Sequence, residues 1–223
     1  MVTNYRLGWC AAADAVTASD WLCAEELASL DALAPKRRRD RLAGRVAAKR
    51  ALKDHFRDEL GWDADPRELV LANDEAGRPV LRLPRGTPGG APSFSIAHAA
   101  WGGLCAVAAP GERVGCDLES VVARPREVLA FVAAPDELGG VEPSDPVAQT
   151  RLWTGKEAVL KLLGLGLDAD ARMVEVRAGG AEVRLGGLPA ARWAELGRPR
   201  LAVDFTTRDG SLAAVARTGG TRG

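Results

Sequence analysis

Asp117 and Glu119, two acids separated by one residue in Val114-Gly115-Cys116-Asp117-Leu118-Glu119, raise the first chemical question in this sequence. On a strand, alternate side chains share a face, so both carboxylates would stand together while Cys116 and Leu118 point the other way. Neighbouring anions repel unless a cation sits between them. An all-oxygen pair suits a hard ion that keeps several waters, which points to magnesium rather than zinc. A solvated strand face is the competing reading, and a two-acid pattern alone does not decide between them.

A second constellation is Trp153-Thr154-Gly155-Lys156-Glu157-Ala158-Val159-Leu160-Lys161. Glu157 and Lys161 fall one helical turn apart on one face, a spacing that fits a surface ion pair as well as a pocket. Leu152, Val159, Leu160, Leu162 and Leu163 make much of that helix apolar, which confines its charges to one stripe. A third is the row Arg38, Arg41, Arg45, Lys49, Leu52 and Phe56, stepping by three or four. Cations that continue an apolar stripe, rather than oppose it, suit an anionic ligand such as phosphate. Nucleic acid is the rival, but the row is short and lacks interleaved aromatics, so no nucleic-acid partner is expected. His98 ends a strand-like run; His55 sits deep in a helical one and reads as structural or solvated. No Ser/His/Asp order, Walker loop or dinucleotide fingerprint is present.

The elements that must position these groups follow from periodicity. Residues 5–12 read as a strand, a short helix capped by Ser19 or Asp20 carries Leu22, Leu27 and Leu30, and a long helix runs from about Lys36 to Leu60, ending at Gly61. Strands are expected at 68–72, 79–83, 93–98, 103–109 and 113–119, with Pro110-Gly111 as a boundary. Beyond it come helices at 126–133 and 146–163, then strands at 173–177, 182–185, 200–206 and 212–216. Each half is therefore α+β, a small antiparallel sheet with packed helices. Lys plus Arg and Asp plus Glu each number 30, so net charge names no partner. Four cysteines without CxxC spacing read as reduced, buried thiols rather than a zinc site. The sequence from Met1 to Arg6 lacks a leader pattern and no apolar run could span a bilayer, so a soluble cytoplasmic protein without membrane contact is expected.

In combination and order, Gly44-Arg45-Val46-Ala47-Ala48-Lys49, Gly77-Arg78-Pro79, Phe94-Ser95-Ile96-Ala97-His98, Gly115-Cys116-Asp117-Leu118-Glu119 and Trp153-Thr154-Gly155-Lys156-Glu157 through Lys161 resemble the Sfp-type 4'-phosphopantetheinyl transferases. The resemblance implies two similar halves, 1–110 and 111–223, in a pseudo-twofold arrangement with coenzyme A and Mg2+ in the cleft between them. It implies that Asp117, Glu119 and Glu157 bind the metal, that Glu157 and Lys161 are catalytic, and that Arg38, Arg45, Arg78, His98 and Lys161 contact the coenzyme. It further implies a monomer that modifies a serine of an acyl or peptidyl carrier protein in polyketide, peptide or fatty-acid biosynthesis. Departures from the family pattern are Ala97 and Ala99, where serines usually flank the histidine, and the segment after Phe131, which places Asp136 without the customary aromatic behind it. Ala97 and the altered acidic loop keep open a family member that binds coenzyme A or a carrier without efficient transfer. Because a fold does not fix a reaction, a different coenzyme A thioester enzyme on the same scaffold also stays open.

Overall fold

A computed structural model describes residues 5–219 except 76, 88, 167 and 168. Residues 1–4, on which the leader reading partly rests, lie outside the described residues. The chain divides after Pro110 into two compact units.

In the first unit, β1 (Tyr5–Ala11), β4 (Phe94–Ala99) and β5 (Gly102–Ala108) form an antiparallel sheet in the order β1-β5-β4. The hairpin of β2 (Val70–Asn73) and β3 (Pro79–Arg82) stands apart from it. Helix α2 (Pro35–Leu60) packs on all three strands of the sheet, burying Val46, Ala47, Ala51, Leu52 and Phe56. Proline at its first position needs no N–H donor there, and Gly61 closes it at φ 66°. The preceding helix, α1 (Ala24–Asp31), starts later than the sequence suggested. Its cap is Cys23, not Ser19 or Asp20, because Glu26 reaches back to the Cys23 N–H at 3.0 Å while residues 12–20 form 3-10 turns.

The second unit repeats this plan. Strands β6 (Val114–Ser120), β9 (Arg200–Arg208) and β10 (Ser211–Gly219) are ordered β6-β10-β9, with β7 (Val174–Arg177) and β8 (Glu182–Leu185) as a separate hairpin. Helix α5 (Pro146–Leu163) covers the sheet through Ala158, Val159, Leu162 and Leu163. Asp145 caps it by accepting from the Ala148 N–H, and Gly164 ends it in the left-handed region. The helix expected at 126–133 is only α3 (Arg126–Leu129); a turn and a fresh helix, α4 (Pro135–Gly139), replace its end. Helix α6 (Gly187–Glu195) falls where no element was expected, and Gly186-Gly187 and Pro189 at its start disguise it as loop.

Both units share an internal brace. In the first, Lys49 is fully buried and donates to Glu26 at 2.8 Å and to the Pro66 carbonyl at 2.7 Å. In the second, fully buried Lys156 donates to Glu137 at 2.6 Å and to the Ala171 carbonyl at 3.2 Å. Each glutamate also takes a backbone N–H at the start of its own short helix, so neither charge of these two pairs stands alone. Three of the four free cysteines are buried and Cys23 is half-buried. Among the described residues no helix is long and apolar enough to cross a membrane.

Candidate active site

Gly115 governs how near β6 lies to α5. A Cβ at this position would stand 2.2 Å from the Ala158 carbonyl oxygen and 2.3 Å from the Leu162 nitrogen, so only glycine allows the approach. Ala158 and Leu162 directly follow Glu157 and Lys161, and Asp117 is two residues past Gly115 on the same strand. The close approach thus sets the strand acids beside the acid and lysine of the helix.

Lys161 Nζ donates to Asp117 Oδ1 at 2.7 Å. The other oxygen, Oδ2, is buried and has no hydrogen-bond partner. An orphaned carboxylate oxygen in a buried site is a costly arrangement, and a bound cation is one group that would relieve it. Glu157 is 7% exposed. Burial, and then the charge of Asp117, push its carboxyl above the usual glutamate range, with Lys161 opposing. Glu119 is raised by the same two causes in the same order, with Arg124 pulling the other way. For Lys161 burial favours the neutral amine, but the charge of Asp117 leads the opposing influences and the ammonium ends above its ordinary value. Asp117, Glu119 and Glu157 therefore feel one another's charge. Among the described residues no three acid, histidine or cysteine side chains already stand as a formed metal cage. The donor set is all oxygen and fits a hard cation such as Mg2+.

The remaining expected residues lie in the first unit. Arg45 is largely buried; it donates to the Leu71 carbonyl at 3.1 Å and lies 3.8 Å from Glu26. With Arg41, Ser29 and Asn73 it lines a cavity of about 270 Å³ between α1, α2 and β2, in which Glu25 and Glu26 also take part. Arg38 pairs with Asp31 at 3.2 Å near the helix start. Arg78 is held by Asp74 at 2.7 Å. His98 is exposed on β4, whereas Ala97 points to the opposite face and is buried. Lys49 does not extend the cationic row toward a ligand: its ammonium is spent on Glu26 inside the unit. Asp136 is exposed, and the acid that α4 uses internally is its neighbour Glu137.

Sequence reasoning missed Arg124, which donates to Glu119 at 3.0 Å. Its partners on α5 lie some 25 residues away in sequence, beyond the reach of any local pattern.

Residues 113–203 match the sequence model of the 4'-phosphopantetheinyl transferase superfamily. A protein of Synechocystis sp. named "Putative 4'-phosphopantetheinyl transferase" is 30% identical over 120 residues, which cover 50% of this chain and 46% of that relative. The chain thus spans about half the length of the curated relative it matches. Among solved structures, holo-ACP-synthase from Plasmodium yoelii is 21% identical at a TM-score of 0.41, covering 50% of this chain and 99% of that one. The Chronobacterium ammoniagenes ACPS-CoA complex is 20% identical at a TM-score of 0.40, with coverages of 50% and 99%. The superfamily match covers the motifs around Asp117 and Glu157, and the first-unit motifs lie outside residues 113–203.

Proposed function

We propose that this chain is an Sfp-type 4'-phosphopantetheinyl transferase, moving the phosphopantetheine arm of coenzyme A to a serine of an acyl or peptidyl carrier protein. The observation that carries the reading is the acidic cluster of Asp117, Glu119 and Glu157 beside Lys161, with a buried Asp117 oxygen left without a partner. Superfamily sequence across residues 113–203 contains all four of these positions.

Asp117, Glu119 and Glu157 would hold Mg2+, which when bound neutralises charge on the coenzyme pyrophosphate and on the departing group. Lys161 gives one of three N–H donors to Asp117, so the rest can meet phosphate oxygens as negative charge develops on the leaving side. Glu157, with a carboxyl raised by burial, is suited to take the serine proton directly or through water. The serine oxygen bonds to the β-phosphorus as the bridging P–O bond breaks, and adenosine 3',5'-bisphosphate leaves with that electron pair. Positioning and charge supply the acceleration, so no covalent nucleophile is required. The Arg41 and Arg45 guanidinium groups suit an anionic or nucleotide portion of the coenzyme, although Glu25 and Glu26 share their cavity, with Arg38, Arg78 and His98 as further contacts.

Phe131 exposes 78% of its surface, and Val122, Val128 and the exposed Arg126 belong to the same stretch of chain. Apolar and basic groups of this kind suit an acidic carrier. A non-transferring binder draws support from Ala97 and from the altered loop around Asp136; of these, the Ala97 side chain faces the interior and takes no group from the face that carries His98. The pathway served, a cytoplasmic setting and a monomeric state belong to the same proposal.

The test is incubation with coenzyme A, Mg2+ and several apo carrier proteins, followed by intact-mass measurement. A gain of one phosphopantetheine, lost in Asp117→Ala, is the expected result. Coenzyme A binding with no mass gain on any carrier would favour the non-transferring reading, and a changed thioester without carrier labelling would favour a different enzyme.

A further inference from the structure

Arg124 lies just past β6, and its guanidinium is held by the helix as firmly as by the strand. Nη1 donates to the Thr150 hydroxyl at 2.7 Å and to the Val122 carbonyl at 3.2 Å. The Arg124 backbone N–H donates to Gln149 Oε1 at 2.7 Å, and Gln149 is itself tied to the Pro143 carbonyl at 2.9 Å. The Trp153 ring lies beneath the guanidinium, 5.7 Å from its centre. Gln149 and Thr150 are buried, and the Arg124 side chain is only 11% exposed. Three contacts fix this cation whatever Glu119 does, and the Gln149 bond fixes the backbone that carries it.

Glu119 is different. Its side chain is 37% exposed, and Nη2 of Arg124 holds it at 3.0 Å through Oε2. A glutamate on a strand end, freed of that bond, has three side-chain torsions to explore and water to explore them in. Thr150 stands on α5 two turns before Glu157, so Arg124 references the strand acid to the helix that carries the other acid.

We infer that Arg124 is a positioning residue for the metal site, orienting Glu119 relative to Glu157 before a cation arrives; the inference rests on the metal-dependent reading above. Arg124 touches no reacting atom. Its guanidinium fork meets the threonine hydroxyl, a backbone carbonyl and the carboxylate together, which a lysine ammonium cannot reproduce from the same backbone position. Orientation by such an outer partner is worth about 10–100-fold in metal affinity where it has been removed from other sites.

The experiment is Mn2+ titration of the full chain by calorimetry and electron paramagnetic resonance, without carrier or turnover. Its variants are Arg124→Ala, Arg124→Lys, Thr150→Val and Glu119→Ala. The wild type is expected to bind one Mn2+. Arg124→Ala should weaken that binding about 10–100-fold. Arg124→Lys should recover little of it. Thr150→Val, nearly isosteric in a buried position, should weaken it in the same direction by less, and it serves if Arg124→Ala does not fold. If the wild type binds Mn2+ and Glu119→Ala impairs it, the metal reading stands by itself. Unchanged or tighter binding in the folded Arg124 and Thr150 variants then overturns the positioning role alone, as does full rescue by lysine, which would make the effect one of charge. A wild type that binds no Mn2+ overturns both.

Discussion

Replacing Gly115 by alanine should separate the site's geometry from its chemistry, because it changes no ionisable group. The added Cβ would meet the Ala158 carbonyl oxygen at 2.2 Å, against the 3.4 Å where ordinary contact begins. Strand β6 and helix α5 must therefore part by about 1.2 Å along that line, the difference between those two distances. The obstructing atoms are backbone in a helix interior, so they cannot rotate away. Overpacking of this kind costs about 1–3 kcal/mol of stability. The Lys161–Asp117 contact, now 2.7 Å, would stretch toward 3.9 Å if it took the whole displacement, beyond hydrogen-bond reach. A misplacement of about 1 Å in reacting groups lowers rate about 100-fold. Expected in Gly115→Ala, then, are a lower melting temperature, weaker Mn2+ binding and a carrier-labelling rate down by about two orders of magnitude. Gly8→Ala is the control: its Cβ would stand 2.1 Å from the Ala47 carbonyl in the other unit, where none of the three acids lies. Intact-mass kinetics on folded protein read the rate, and thermal denaturation reads the stability. If Gly115→Ala melts as Gly8→Ala does yet keeps wild-type labelling and Mn2+ affinity, the claim that this contact sets the site is refuted.

Lys156→Met should destabilise the protein by about 3–5 kcal/mol, because it strands Glu137 without its buried partner; a loss in urea denaturation below about 1 kcal/mol would contradict the brace. His55 is 5% exposed, and burial, aided by Arg6 and opposed by Glu59, holds its imidazole below the ordinary value of 6.5. Its contribution is therefore present above pH 6.5 and is lost as pH falls through the folded value, since the unfolded chain takes up the proton first. The stability of His55→Phe relative to wild type should rise from pH 7.5 to pH 5, and a constant difference between the two would remove the assignment.

The long elements were legible because their ends are marked. Proline begins both α2 and α5, and glycine in the left-handed region ends both. The acids of β6 and the acid and lysine of α5 were legible as patterns, since period two and period 3.6 say which side chains share a face. What local periodicity cannot show is which face meets which partner. Lys49 reads as part of a cationic row, yet its partner Glu26 lies 23 residues away and draws it inward. Arg124 sits in Val-Val-Ala-Arg-Pro-Arg, a stretch with no period, and gains its meaning only from Gln149 and Thr150. Phe131 belongs to a helical pattern in the sequence, but α3 ends at Leu129, and the ring is left largely in solvent.

The repeated plan of the two units shows what sets the proposed metal site apart from its counterpart in the first unit. Gly8 approaches the Ala47 carbonyl as Gly115 approaches that of Ala158, which gives the two strand–helix pairs a common frame. Two and four residues past the glycine stand Cys10 and Ala12 in the first unit, against Asp117 and Glu119 in the second. Just before the approached carbonyl stands Val46 against Glu157, and three residues after it Arg50 against Lys161. Only the basic member persists in the first unit, where Arg50 donates to the Trp9 carbonyl at 2.8 Å. Cys10 there is fully buried, and burial raises its thiol. With three anions replaced by a thiol, a methyl and an isopropyl group, the same backbone frame has no oxygen side chain to offer a hard cation. The scaffold supplies a close strand–helix contact twice, and side-chain chemistry at three positions places carboxylates only at the second, where the proposed metal site lies.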